Sequence, residues 1–217
     1  MIKIIDLYDL SHTIAGEYLA RFEFPWQALR GISDAIISIG KKLGGDYKEI
    51  SPCVWVHESA VIAPSAYIGA PAIIGARTEV RHCAFIRESA LVGCDCVVGN
   101  STELKNVILF DGVEVPHYNY VGDSILGYKA HMGAGSITSN IKSDKSEVVV
   151  HGDIDYKTGL IKVGAMLGDY AEIGCNSVLN PGSIIGRRTS VYPLSRVRGT
   201  VAADSIYKGD GVIVRKD

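Results

Sequence analysis

The feature that most constrains this chain is a period of six. Val56, Ile62, Ile68, Ile74, Val80, Ile86, Val92, Val98, Leu104, Phe110 and Pro116 fall on one register without a slip. The residue four positions on is usually small, as in Ala60, Ala66, Ala72, Thr78, Ala84, Ala90, Cys96 and Thr102. The register slips by one at Val121, resumes at Leu126 and Met132, and breaks near Asn140. It returns with Leu167, Ile173, Leu179, Ile185, Val191 and Val197. Such self-similarity predicts short strands stacked into a solenoid, each repeat burying its aliphatic residue against the next coil. The small residue fits where the chain turns a tight corner. Three units per coil make a triangular prism, so the expectation is an all-β, parallel β-helix of about six to seven hexapeptide-repeat coils. Gly69, Gly75, Gly93, Gly99, Gly127, Gly174 and Gly186, directly after the aliphatic residue, suit its corners.

Residues 1–50 have a different texture and read as a small N-terminal helical segment, with residues 51–217 as the solenoid. Ser11 is a candidate N-cap for a short helix through Ile14, Tyr18 and Leu19. Pro25 can open a second helix, where its missing N–H costs nothing. Trp26, Leu29, Ile32 and Ile36 then follow at helical spacing until Gly44-Gly45. This apolar stripe must pack on something. The break at 141–162 carries β-formers on both sides of Lys157-Thr158-Gly159 and predicts a hairpin-like excursion, and insertions in solenoids often belong to the binding face.

Composition excludes several classes. A formal charge of -2 over 217 residues argues against a nucleic-acid binder, although a few basic side chains can still gather into a phosphate pocket. No apolar run reaches the ~18 residues that would span a membrane. Cys53, Cys83, Cys94, Cys96 and Cys175 are odd in number and contain no CxxC pair, and no secretion leader precedes them, which reads as reduced thiols in a cytoplasmic protein. Cys94-x-Cys96 lacks the second pair that a four-ligand zinc site needs, and no two histidines have the spacing of a β-helical zinc hydratase, so no metal is expected.

Two blocks stand out from the repeat: His117-Tyr118-Asn119-Tyr120-Val121-Gly122-Asp123 and Gly133-Ala134-Gly135-Ser136-Ile137-Thr138-Ser139-Asn140. With the hexapeptide register, they resemble the acetyltransferase domain of the bacterial bifunctional glucosamine-1-phosphate acetyltransferase/uridylyltransferases and related archaeal sugar-phosphate nucleotidylyltransferases. The resemblance covers roughly residues 50–200, and Pro25-Trp26-Gln27-Ala28-Leu29 is similar to the helix joining the two halves of those enzymes. It implies a left-handed coil, a homotrimer with a cofactor cleft between neighbouring prisms, and acetyl-CoA as co-substrate.

Carried over by position, the resemblance makes His117 the general base and puts Asn140 beside it in the catalytic set. An amine attacks a thioester only when free, and a base that titrates near neutrality suits that proton. Tyr120 falls where the sugar is held, and Arg87 and Lys105 fall where its phosphate is held, Arg as a fork and Lys as a point charge. The Ala134 N–H, with Gly135 beside it, falls where the thioester carbonyl is bound. There are two departures. His131 stands where the family has a substrate-contacting asparagine, and the family's lysine after Asn140 has no in-register match, leaving Lys142 and Lys145 as candidates.

The expected function is therefore transfer of an acetyl group from acetyl-CoA to the amine of a sugar phosphate or nucleotide-linked amino sugar. No Gly-rich nucleotide-binding motif precedes the joining helix, so uridylyl transfer by this chain alone is not expected. The alternative is a non-catalytic β-helical subunit, or ligand sensor, that partners a separate nucleotidyltransferase chain.

Overall fold

In the computed structural model, which describes residues 2–216, the repeat becomes a parallel β-solenoid with three ladders of strands. One ladder climbs through Val61–Ile62, Glu79–Val80, Val97–Asn100, Glu114–His117, His131–Met132, Glu172–Ile173, Ser190–Val191 and Ser205–Tyr207. A second starts at Tyr67–Ile68 and passes through the first halves of Phe85–Val92, Glu103–Leu109 and Tyr120–Leu126. It continues to Ile137–Thr138, Val178–Leu179 and Arg196–Val197. The third starts at Val54–His57 and Ala72–Ile74, takes the second halves of the same long strands, and ends at Thr200–Val201. The first ladder thus has one parallel rung more than the upper limit of six to seven coils. The last coil is shortened, pairing Val191 with Tyr207, so it falls out of the period that reveals the others.

The slip lies earlier than Val121. Tyr67 pairs with Phe85 eighteen residues on, but Glu88 pairs with Lys105 and Leu104 with Val121, both seventeen on, and the ladder shifts between Ile86 and Glu88. Leu109, rather than Phe110, therefore continues the row from Val92, and Val115, rather than Pro116, follows Val98. Phe110 and Pro116 are apolar and buried, which conceals the slip in the sequence.

The corners also differ from expectation. Left-handed backbone falls mostly on non-glycine residues, stacked coil over coil: Cys83, Ser101, Tyr118, Gly135, Asn176 and Leu194 form one such column. The glycines after the aliphatic residues serve a different end. A Cβ on Gly99 would collide with the backbone of Pro116, and one on Gly75 with that of Gly93, so close approach of the next coil selects them. Small hydroxyl residues satisfy the corner carbonyls: Thr78 Oγ1 donates to Gly93 O at 2.7 Å and Thr102 Oγ1 to Val115 O at 2.9 Å.

The third ladder explains the N-terminal segment. Strand side chains alternate, so Ile74, Val92 and Leu109 point into the prism while Ile73, Leu91, Ile108, Ile125, Met166 and Ile184 point out, yet all of these are at most 1% exposed. Strands buried on both faces read as unbroken apolar runs, as Ala72-Ile73-Ile74 does. Against this outer face lie short helices over Ile4–Leu7, Leu10–His12, Gly16–Leu19, Pro25–Gly31 and Ile32–Gly40, which bury Leu19, Trp26, Leu29, Ile32 and Ile36. Ser11 caps no helix: it lies within the turn Leu10–His12, which Asp9 caps by accepting from the Ser11 N–H at 3.1 Å, and the helix Gly16–Leu19 follows Ala15 with no side-chain cap. The segment is fastened by Tyr8 Oη to Ile125 O at 3.2 Å, by the Asp9 N–H to Asp169 Oδ2 at 2.8 Å, and by His12 stacked 3.7 Å from Tyr128.

The excursion forms the antiparallel hairpin Val149–His151 with Asp155–Lys157. Its turn is Gly152–Ile154 rather than Lys157-Thr158-Gly159. Val148 and Val150 are fully buried, Tyr156 packs near Trp26, and Arg30 donates to Gly159 O at 2.5 Å.

Candidate active site

One coil, residues 114–126, turns two corners that gather most of the residues singled out by sequence. At the first, the strand Glu114–His117 ends and Tyr118 takes left-handed backbone, with φ 52°. Asn119 is turned inward and only 2% exposed. Its Oδ1 accepts from the His117 N–H at 3.1 Å, and its Nδ2 donates to Gly133 O at 2.9 Å and to Ser136 O and Oγ at 3.1 Å. The Gly135 N–H donates to His117 O at 2.9 Å. The His117 backbone is thus held from below and above, while its imidazole is exposed and makes no hydrogen bond among the described residues.

Glu114 pairs with His131, so the same step of seventeen residues stacks Ala134 on His117. The Ala134 carbonyl accepts from the Asn176 N–H at 2.8 Å, and its N–H has no partner among the described residues. A free imidazole and a free backbone donor therefore share one edge of the solenoid in adjacent coils.

At the second corner the arrangement is reversed. Asp123, 4% exposed, accepts at both oxygens from Lys105 Nζ, at 3.1 and 3.3 Å. It also accepts from Asn106 Nδ2 at 2.9 Å and from Asn140 Nδ2 at 2.6 Å. Asn106 Nδ2 reaches Leu29 O at 3.2 Å, which ties this corner to the N-terminal segment. Asn140 Nδ2 donates in turn to Tyr120 Oη at 3.1 Å. Burial, followed by the charges of Asp123 and Glu103, pushes the Tyr120 phenol above its ordinary range, so it remains protonated. Gly122 leaves the space for this contact: a Cβ there would lie 2.5 Å from Tyr120 Oη and 2.9 Å from Asn140 Nδ2.

The remaining candidates lie around these corners. Arg87 falls at the ladder shift between Ile86 and Glu88, which re-aims its side chain. Its half-exposed guanidinium lies 3.4 Å from Glu103 and acts electrostatically on Tyr120. His131 is on the first ladder, its Nδ1 3.0 Å from Glu172 Oε2, and is not joined to Tyr120 or Asn140. Lys142 is tied within its own turn, to Ser146 Oγ at 2.5 Å and Glu147 O at 3.2 Å, and Lys145 is exposed in that turn. The structure thus joins Lys105, Tyr120 and Asn140, stacks Ala134 and Gly135 over His117, and leaves His131, Lys142 and Lys145 outside both groups.

Asn106 was not singled out by sequence reasoning, and Asn119 and Asp123 stood in the His117 block without a role. The signal was available: Asn106, Asp123 and Asn140 are each seventeen residues apart, a polar column at the coil period.

No family model matches the chain. Among curated proteins, it is 29% identical over 218 residues to the Bifunctional protein GlmU of Methanococcus maripaludis, covering 99% of this chain and 53% of that protein. Over nearly its whole length the chain is similar to the GlmU proteins. It spans about half the length of the GlmU sequence that it matches end to end. Over 109 residues it is 32% identical to the Bifunctional sugar-1-phosphate nucleotidylyltransferase/acetyltransferase of Sulfurisphaera tokodaii, covering 50% of this chain and 27% of that protein. A crystal structure of PerB from Caulobacter crescentus with CoA and GDP-perosamine overlaps 70% of this chain and 51% of its own, at 18% identity and a TM-score of 0.37. No helix among the described residues is long and apolar enough to cross a membrane.

Proposed function

We propose that the chain transfers an acetyl group from acetyl-CoA to the amine of a sugar phosphate or nucleotide-linked amino sugar, with His117 as general base. The observation that carries this reading is the pairing of an uncommitted His117 imidazole with the uncommitted Ala134 N–H in the next coil. The kinship with GlmU along nearly the whole chain supports the same chemistry. In the step, the amine nitrogen forms a bond to the thioester carbonyl carbon while His117 takes its proton. The carbon–sulfur bond then breaks and the thiolate leaves, to be protonated as CoA. A positioned base contributes about 10²–10⁴-fold. The Ala134 N–H meets the charge developing on the carbonyl oxygen, an interaction worth on the order of 3 kcal/mol.

Tyr120 and Asn140 orient the sugar, and Asp123 keeps Asn140 in place. Of the two basic residues, Arg87 is the freer to grip a phosphate, because it is half-exposed and its contact with Glu103 is long. Lys105 is already compensated by Asp123 and adds field rather than a free fork. His131, Lys142 and Lys145 border the acceptor from outside. In this reading the chain is one protomer of a homotrimer, and the exposed rings of Tyr67 and Phe85, 5.5 Å apart, support a neighbouring prism on that side.

The test is release of free thiol from acetyl-CoA across a panel of amino-sugar 1-phosphates and nucleotide-linked amino sugars, with the acetylated amine identified by mass spectrometry. Turnover with one class is expected. Absence of turnover with every amine, together with no acetyl-CoA binding by calorimetry, would leave a binding subunit in its place.

A further inference from the structure

Two arginines near the end of the solenoid differ from most of the others on it. Arg77, Arg81, Arg87, Arg187 and Arg188 each lie against a carboxylate. Arg196 and Arg198 are exposed on either side of buried Val197, and their side chains make no ion pair or hydrogen bond among the described residues. Both line a groove of about 680 Å³ whose wall includes Thr200, Tyr207 and Asp210. Arg198 and Asn180 also line a second cavity of about 390 Å³, with Ser139, Lys142, His151 and Asp155. The two cavities share a wall, and together they run from beside Asn140 to the last coil.

Their spacing suits one kind of ligand. Thr138, Leu179 and Val197 are successive rungs, so Ser139, Asn180 and Arg198 climb the same outer face. At ~4.8 Å per rung, Arg198 stands about 10 Å from Ser139. Arg196, on the strand Arg196–Val197, and Arg198, directly after it, have Cα atoms about 6.6 Å apart if the chain stays extended, and each guanidinium can grip two oxygens as a fork. A monophosphate fills one such fork; a diphosphate can engage both. Neither nearby carboxylate is spent on these arginines: Asp155 is hydrogen-bonded to His151 Nδ1 at 2.7 Å, and neither it nor Asp210 forms an ion pair with Arg196 or Arg198 among the described residues.

We propose that this groove binds the diphosphate of a nucleoside-diphosphate amino sugar, making the acceptor nucleotide-linked rather than a simple sugar phosphate. The inference rests on the acetyl-transfer reading for the sugar end alone. CoA also carries a diphosphate, so the test separates the two sources by titration calorimetry with UDP, CoA and glucosamine 1-phosphate. These are titrated into the wild-type chain, Arg198→Gln, and Arg196→Gln combined with Arg198→Gln. UDP is expected to bind the wild type, at least tenfold more weakly with Arg198→Gln and undetectably with both substitutions, while CoA affinity is unchanged. Failure of UDP to bind the wild type, or UDP affinity indifferent to the substitutions, overturns the proposal. Weakened CoA binding with unaltered UDP binding also overturns it, assigning the groove to the donor. Because UDP binding needs no turnover, absence of acetyl transfer leaves the expected binding result standing. Turnover with glucosamine 1-phosphate but no UDP binding removes this inference and keeps the transferase.

Discussion

The two corners of the coil 114–126 are built from similar residues and end in opposite states. At His117 a buried amide, Asn119, is committed to the backbone, and the imidazole makes no hydrogen bond among the described residues. At Asp123 the side chain itself is the hub, taking hydrogen bonds from Lys105, Asn106 and Asn140 while almost fully buried. A residue that must exchange protons with a substrate cannot be saturated, whereas a residue that positions others must be. The contrast supports the proposal that His117 acts as the base at the first corner while Asp123 positions its neighbours at the second.

The largest stability effect expected falls on the second corner. Asp123→Ala removes one partner of a buried pair and leaves Lys105 uncompensated, which costs about 3–5 kcal/mol. Urea denaturation checks it, and a loss under about 1 kcal/mol would break the contrast between the corners. Gly122→Ala sharpens the contrast by forcing a methyl group against Tyr120 and Asn140. Overpacking of this kind costs about 1–3 kcal/mol, and the acceptor KM should rise more than the acetyl-CoA KM, as steady-state kinetics would reveal.

Much of this was legible in advance, and the reasons for the rest are specific. The aliphatic period marks the coil because Val80, Ile86 and Val98 have no alternative to the prism interior. The His117 block was visible because it interrupts that pattern with side chains a solenoid does not need. The position of the slip was not, since Phe110 and Pro116 satisfy burial in either register. The role of Asp123 was missed because its partners lie seventeen residues before and after it, and a reading along the chain does not see columns. The hairpin turn was misplaced because Lys157-Thr158-Gly159 has turn chemistry; there Thr158 Oγ1 instead caps Val148 O at 2.6 Å.

Smaller effects test the first corner and a third, exposed one. Asn119→Ala takes the amide donor from the Ser136 carbonyl, while Gly133 O keeps the Ser136 N–H and Oγ, and should cost about 1–3 kcal/mol; it should also lower kcat, because the His117 N–H loses the Asn119 oxygen and only the contact from Gly135 remains. Far from either corner, the Arg77 guanidinium hydrogen-bonds Asp95 and holds its carboxyl below the ordinary 3.8. The stability from that pair is present above pH 3.8 and is lost as pH falls through the lowered value. Asp95→Asn should therefore flatten the acid limb of thermal stability slightly, and salt should erase the difference because the pair is exposed.

The central claim is tested most directly by one paired measurement on His117→Ala: the rate of acetyl transfer and the melting temperature of the same preparation. An imidazole that holds nothing in the fold but removes the proton from the attacking amine predicts a rate loss of about 10²–10⁴-fold with an unchanged melting temperature. A fall in melting temperature with the rate per folded molecule preserved would make His117 a structural residue and contradict the account.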